Sequence, residues 1–108
     1  MFMNISDWRK KIDELDRKLA ALLNERARAA IEIGGLKRNT NLPIYEPERE
    51  REVIQNVQKW NSGPLEGRDL EQIYERIMDV MRSVQKREIV PDAKPVSQDT
   101  ELDSQYED

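Results

Sequence analysis

The sequence predicts an all-α fold made of one long helix and two shorter helices. Apolar residues recur at helical spacing through most of residues 6–89, and no segment carries a strand pattern of any weight. The prolines before residue 90 stand in or beside the interruptions of the helical pattern, at Pro43, Pro47 and Pro64. With 108 residues, the chain has room for one small domain.

The composition excludes several kinds of site. The chain has no His and no Cys, so it cannot build a Ser-His-Asp triad, a thiol nucleophile, a disulfide or the usual zinc site. We expect no nucleic-acid partner, because the net charge is −4 and no basic stripe is interleaved with aromatic residues. We also expect no membrane association and a cytoplasmic location, because no apolar run approaches the ~20 residues that span a bilayer and no signal peptide is evident.

The charge is distributed unevenly along the chain. Residues 90–108 include Pro91 and Pro95 and carry a net charge of −5, so residues 1–89 carry a net charge of +1. A polar, acidic and proline-containing segment is typical of disorder. We therefore expect a helical domain over residues 1–89 and a disordered acidic tail over residues 90–108.

The first helix is predicted over residues 6–39, with Ser6 as N-cap and Asp7 in the first turn. Its apolar stripe mostly follows alternating steps of four and three residues: Trp8, Ile12, Leu15, Leu19, Leu22, Ala29, Ile33 and Leu36. At 1.5 Å per residue this helix is roughly 50 Å long, which exceeds the diameter of a small domain. A solitary chain would leave much of the stripe in water, so the stripe predicts a partner, most simply a second copy of the chain.

The second helix is predicted from Pro47, directly after Glu46, to about Trp60. Its apolar face consists of Val53, Ile54, Val57 and Trp60. The turn residues 61–64 end it, and a third helix follows over about residues 67–89. The third helix is expected to turn these residues inward: Leu70, Ile73, Tyr74, Ile77, Val80, Met81 and Val84.

Two cations interrupt the apolar stripe of the first helix. Arg26 occupies the position where the stripe continues after Leu22, and Lys37 lies eleven residues further, within about 20° of the same face. Buried like charges are costly unless they are paired, so an anionic ligand between them is one interpretation. The alternative is an arginine that fixes helix register and a lysine whose ammonium reaches the surface. Arg9 lies roughly 25 Å from Arg26 along the helix, so it can join the same site only from a partner chain.

Three polar residues of the other helices are weaker candidates. Arg49 and Glu50 stand at the start of the second helix, where a cation gains nothing from the helix dipole. The alternative is that this charged run is a solvated face with salt bridges. Gln85 lies on the same face of the third helix as Met78 and Met81, although helix edges often carry a glutamine.

The combination of these residues resembles the all-α (type II) chorismate mutase family, over about residues 5–89. The segments that carry the resemblance are Arg9-x-x-Ile12-Asp13-x-Leu15-Asp16-x-x-Leu19-x-x-Leu22-Leu23-x-x-Arg26, Ile33-Gly34-x-x-Lys37, Pro43-Ile44-x-Glu46-x-x-Arg49-Glu50, Ile73-Tyr74-x-x-Ile77-Met78 and Ser83-Val84-Gln85. The spacing of the full set is specific, whereas each piece alone is a weak signal.

The resemblance implies an intertwined helical homodimer with two equivalent active sites, in which chorismate, a dicarboxylate, rearranges to prephenate. Each site would be lined by Arg26, Lys37, Glu46, Arg49, Glu50, Met81 and Gln85 of one chain and by Arg9 of the other. Arg26, Arg49 and the partner's Arg9 would hold the substrate carboxylates. Lys37 and Gln85 would donate to the breaking ether oxygen, and Glu50 would bind the ring hydroxyl. The reaction requires no metal and no organic cofactor, so none is expected.

Two residues depart from the family pattern. Glu46 stands where relatives often have Asp, and Met81 stands where they often have a small Ser. Two other functions remain open from the sequence. One is an isochorismate pyruvate-lyase on the same scaffold, and the other is a helical dimer that acts only as an interaction module.

Overall fold

Three helices make up the computed structural model, which describes residues 2–89. They are α1 (Ile5–Arg38), α2 (Pro47–Trp60) and α3 (Gly67–Ile89). No strand occurs among residues 2–89, and the predicted all-α fold is confirmed. The prediction of a disordered tail concerns residues 90–108, which lie outside the described residues.

The N-terminus of α1 is closed by a capping box between Asn4 and Asp7. The Asp7 amide donates to Asn4 Oδ1 over 2.8 Å, and the Asn4 amide donates to Asp7 Oδ2 over 3.1 Å. The prediction of Ser6 as N-cap is therefore wrong, because Ser6 lies inside the first helical turn. The earlier start satisfies two amide donors reciprocally, which a cap at Ser6 with Asp7 directly after it does not achieve.

The loop between α1 and α2 turns back beside the end of α1. The amides of Thr40 and Leu42 both donate to the carbonyl of Lys37, over 2.9 and 3.3 Å. Asn41 has a φ of 61°, a left-handed conformation that asparagine tolerates better than most residues. This reversal brings Ile44 and Glu46 next to the Lys37 side chain. Glu46 is also the N-cap of α2, and Pro47 begins that helix.

The α3 helix packs against both α1 and α2. In the part of the chain that the structure describes, the buried side chains are Val57 of α2 and Met78, Met81 and Gln85 of α3. Three residues that were expected to face inward are exposed in the single chain, namely Trp60 at 73%, Ile73 at 47% and Val80 at 41%. Among residues 2–89, α3 has two neighbouring helices, and these leave one of its sides uncovered.

The apolar stripe of α1 is open to solvent in the single chain. Its first five members, Trp8, Ile12, Leu15, Leu19 and Leu22, are between 49% and 60% exposed. Contiguous apolar surface of this kind is uncommon on monomeric proteins. The partner that the sequence predicts for this stripe stays a prediction. No helix in residues 2–89 combines the length and hydropathy needed to cross a bilayer.

Candidate functional site

A cavity of about 460 Å³ lies between the C-terminal half of α1, the loop that follows it, the start of α2 and the end of α3. Its lining residues are Arg26, Ala29, Ala30, Ile33, Lys37, Ile44, Glu46, Arg49, Glu50, Val53, Met78, Met81, Arg82 and Gln85. Seven of the eight site residues named from the sequence are in this set. The eighth, Arg9, is exposed on the first third of α1 and does not line the cavity.

The charges on the cavity wall favour an anionic ligand. Four cations, Arg26, Lys37, Arg49 and Arg82, face two carboxylates, Glu46 and Glu50. The net charge of the lining is therefore +2. A concave site whose low-dielectric walls carry charge of one sign concentrates ligands of the opposite sign.

Lys37 is held inside the cavity and does not extend to the surface. Its side chain is only 12% exposed, and Nζ lies 2.5 Å from Glu46 Oε1. Nζ also donates to the carbonyl of Ile44 over 3.3 Å. An ammonium group has three N–H donors, so one donor is left for a ligand. The loop thus fixes the ammonium in place while leaving part of its hydrogen-bonding capacity unused.

Gln85 connects α3 to α1 at the wall of the cavity. It is 7% exposed, and its Nε2 donates to the carbonyl of Ala30 over 2.7 Å. The amide nitrogen carries two N–H groups, so the second remains available to a ligand. A buried glutamine with this bond is fixed in orientation, which distinguishes it from the exposed glutamine of a helix edge.

Arg82 is a cavity residue that the sequence analysis missed. It forms ion pairs with Glu50 of α2 and with Asp79 of α3, and its guanidinium lies 5.0 Å from the centroid of the Tyr45 ring. The hydrogen bond to Glu50 is the main cause that raises the pKa of Arg82 above its ordinary value. Its position four residues after Met78 and three before Gln85 places it on the cavity face, and this spacing was the signal available in the sequence.

The other two arginines of the lining are held less tightly. Arg26 is half-buried, and no carboxylate among residues 2–89 lies within ion-pair distance of it. Arg49 stands at the rim, where Nη1 lies 2.5 Å from Glu52 Oε1 and the side chain is 60% exposed. Partial burial of Arg26 without a counter-ion costs free energy that an anionic ligand offsets.

The floor of the cavity is apolar. Met78 and Met81 are 6% and 8% exposed, and Ile33 and Val53 also contribute to the wall. The side chain of Met81 offers no hydrogen-bond donor to a ligand. An apolar floor lowers the local dielectric, which strengthens the charge interactions above it. In the described part of the chain no group of three or more carboxylates is placed to hold a metal ion.

Comparison with known proteins identifies relatives of this chain. The family model for chorismate mutase type II matches residues 8–86. The bifunctional chorismate mutase/prephenate dehydratase of Aquifex aeolicus is 38% identical over 87 residues, which cover 77% of this chain and 24% of that protein. The chain thus spans about a quarter of the length of this bifunctional relative. The chorismate mutase of Methanocaldococcus jannaschii is 36% identical over 59 residues, covering 55% of this chain and 60% of the relative.

Solved structures share the fold over most of their length. One form of the chorismate mutase of Thermus thermophilus superposes with a TM-score of 0.75 at 31% identity, covering 77% of this chain and 94% of the other. The chorismate mutase of Helicobacter pylori in complex with prephenate gives a TM-score of 0.75 at 29% identity, covering 83% and 97%. The residues that the family model matches include the whole cavity lining. The chain therefore belongs to the type II chorismate mutase family.

Proposed function

We propose that this chain is a chorismate mutase that converts chorismate to prephenate. The observation that carries the proposal is the cavity with a net charge of +2, in which the half-buried Arg26 has no counter-ion among the described residues. Chorismate carries two carboxylates, so it matches this charge. The similar Helicobacter pylori chorismate mutase, solved in complex with prephenate, supports the same class of ligand.

Arg26 and Arg49 bind the substrate carboxylates in this proposal. A guanidinium group can grip a carboxylate through two parallel hydrogen bonds, which fixes orientation as well as position. Arg49 exchanges its contact with Glu52 at the exposed rim for the substrate, which is a small cost because exposed ion pairs contribute little. The two arginines hold the dianion in the compact conformer from which it reacts, and such orientation lowers the barrier substantially.

Lys37 and Gln85 stabilise the transition state. The rearrangement is unimolecular, and the ether C–O bond breaks as the new C–C bond forms, so negative charge grows on the ether oxygen. Lys37 Nζ and Gln85 Nε2 are each fixed by other hydrogen bonds, and each keeps an unused N–H. Donors that are in place before the reaction strengthen their bonds as charge develops. No proton transfer and no nucleophile is needed, which suits a chain without His and Cys.

The two carboxylates of the lining lie near the ring hydroxyl of the substrate in this proposal. Glu50 accepts a hydrogen bond from the ring hydroxyl in this proposal. Glu46 lies 2.5 Å from Lys37 Nζ, so it orients the ammonium and borders the hydroxyl region.

Arg9 completes the site from a second chain. The exposed stripe of α1 that begins at Trp8 supports pairing of the long helices in a homodimer. Arg9 lies beside Trp8 and roughly 25 Å from Arg26 of its own chain. In an intertwined dimer it enters the partner's cavity, where it adds a third arginine against the two carboxylates.

The proposal is tested by measuring chorismate consumption through its ultraviolet absorbance. The wild-type chain is expected to turn over chorismate, and Lys37→Ala is expected to lose at least about 3 kcal/mol of transition-state stabilisation, or ~10²-fold in kcat. Lys59→Ala, at an exposed lysine of α2, is the matched control and should retain wild-type kinetics. Absence of wild-type turnover contradicts the proposal.

Two further measurements separate the other functions. A lyase on this scaffold would consume isochorismate and release pyruvate, while leaving chorismate unchanged. An interaction module would bind no dicarboxylate transition-state mimic. For the proposed enzyme, such a mimic at 100 times its Kd adds about 2.7 kcal/mol to the free energy of unfolding, which a thermal melt detects.

A further inference from the structure

We infer that Arg82 is a positioning residue that holds the Glu50 carboxylate at the cavity wall and compensates its charge while a dianionic substrate is bound. The inference rests on the proposed function, since Glu50 matters only if it receives the substrate hydroxyl. The observation behind the inference is the ion pair between Arg82 of α3 and Glu50 of α2.

The pair leaves Glu50 able to act. Arg82 Nη1 donates to Glu50 Oε2, and a carboxylate has a second oxygen with its own lone pairs. Oε1 of Glu50 is therefore available to a hydroxyl in the cavity. Both side chains are about one quarter exposed, so the pair is partly shielded from water and stays in contact with the cavity.

Arg82 is itself fixed by two further contacts. Its Nη2 donates to Asp79, one turn earlier on α3, and its guanidinium lies 5.0 Å from the centroid of the Tyr45 ring. The guanidinium is thus bonded to a carboxylate at Nη2 and lies over an aromatic ring. A guanidinium held in this way presents Nη1 to Glu50 in one orientation. The raised pKa of Arg82 agrees with a permanent cation at this place.

The charge of Glu50 requires compensation in the occupied site. A bare carboxylate next to a dicarboxylate substrate repels it, and the apolar floor formed by Met78 and Met81 strengthens that repulsion. The other cations are placed differently: Lys37 contacts Glu46, and Arg49 contacts Glu52. Among the cations of the cavity lining, Arg82 is the one bonded to Glu50.

The Arg82–Glu50 pair also joins α3 to α2, so a simple loss of activity does not identify its role. A structural tie and charge compensation differ in one respect. If Arg82 compensates Glu50, then removing the charge of Glu50 relieves the effect of removing Arg82. If Arg82 only ties the helices or contacts the substrate itself, the second substitution brings no relief.

The experiment compares steady-state kinetics on chorismate for wild type, Arg82→Met, Glu50→Gln and the double variant. For Arg82→Met we expect KM to rise about tenfold with a smaller fall in kcat. We expect the double variant to have a lower KM than Arg82→Met, because the uncompensated carboxylate is gone. Arg82→Lys keeps the cation but not the planar guanidinium, so its KM is expected to lie between those of wild type and Arg82→Met. Arg68→Met, at the exposed start of α3, is the matched control with unchanged KM and kcat.

Three results overturn the inference while leaving the proposed function intact. The first is an unchanged KM in Arg82→Met, and the second is a double variant whose KM is at least as high as that of Arg82→Met. The third is an Arg82→Lys variant whose KM is as high as that of Arg82→Met. Absence of chorismate turnover by the wild type overturns the proposed function instead. If circular dichroism shows that Arg82→Met does not fold, the comparison is made in the Arg82→Lys background. There Glu50→Gln is expected to lower the raised KM again, and failure to do so overturns the inference.

Discussion

Gln85 of α3 donates a hydrogen bond to the backbone carbonyl of Ala30 on α1, and the two atoms are 2.7 Å apart. The bond joins two of the helices that line the cavity. It also sets the direction of the second N–H of the amide, which in the proposed mechanism points to the ether oxygen. A neutral amide serves both partners at once, because both of its hydrogens are donors.

Gln85→Glu is expected to make activity depend on acidic pH. At neutral pH the carboxylate of the variant faces the Ala30 carbonyl and the ether oxygen with no hydrogen to donate, so kcat/KM falls by about 10²-fold. Acidification restores one donor by protonating the carboxyl group, and burial favours that neutral form. Profiles of kcat/KM against pH check this expectation. Gln72→Glu, on the exposed side of α3, should follow the wild-type profile, and a flat profile for Gln85→Glu would contradict the assigned role.

Complementation between two inactive variants tests the proposed donation of Arg9 across a dimer. We expect Arg9→Ala and Arg26→Ala each to remain folded and to lose turnover of chorismate. A heterodimer of the two has one site with both defects and one intact site. Refolding an equal mixture makes about half of the dimers mixed, and each mixed dimer has one intact site of two. About one quarter of wild-type activity should therefore return. If Arg9 acted within its own chain, the mixture would stay inactive.

Leu19→Glu is expected to separate the proposed dimer. In the single chain Leu19 is 52% exposed, so a charge there costs little if the protein is a monomer. In a dimer paired through the α1 stripe, the buried carboxylate has no partner and the association is lost. Light scattering after gel filtration measures the mass, and the chorismate assay should show a parallel loss. Ala21→Glu, on the opposite face of α1, serves as the control; a Leu19→Glu protein with wild-type mass would refute the paired stripe.

Asn4→Ala is expected to lower the free energy of unfolding by about 1 kcal/mol, because it removes the side chain that caps α1. Ser6→Ala is the matched variant two residues away and should cost much less, since no cap bond depends on it. Urea unfolding at one fixed protein concentration measures both, which keeps any dimer contribution equal. An equal loss in the two variants would contradict the capping box.

The helices themselves follow from local patterns in the sequence. Apolar spacing and the prolines predict all three within a residue or so of their ends, because these signals act over single turns. The predicted N-cap of α1 is wrong because Ser6 followed by Asp7 has the pattern of a cap and an acidic first turn. The reciprocal bonds of Asn4 and Asp7 become visible only as a pair three residues apart.

The site could be predicted in part, because charged residues on an apolar face stand out in the sequence. The shared face of Arg26 and Lys37 follows from their spacing of eleven residues, and the structure brings both to one cavity. The partners of these groups depend on contacts between distant parts of the chain. The bond from Gln85 to Ala30 and the pair of Arg82 with Glu50 each join two helices, and no local pattern encodes such a contact.

The unbroken course of α1 from Ile5 to Arg38 restricts how this chain can change in length. Deleting one residue between Arg9 and Arg26 would turn one end of the helix by about 100° against the other and shift it by about 1.5 Å. Every group on one half would then leave the face that it shares with the other half. Insertions and deletions are tolerated mainly in connecting loops, so within the span of the three helices, length differences among homologues should be confined to residues 39–46 and 61–66.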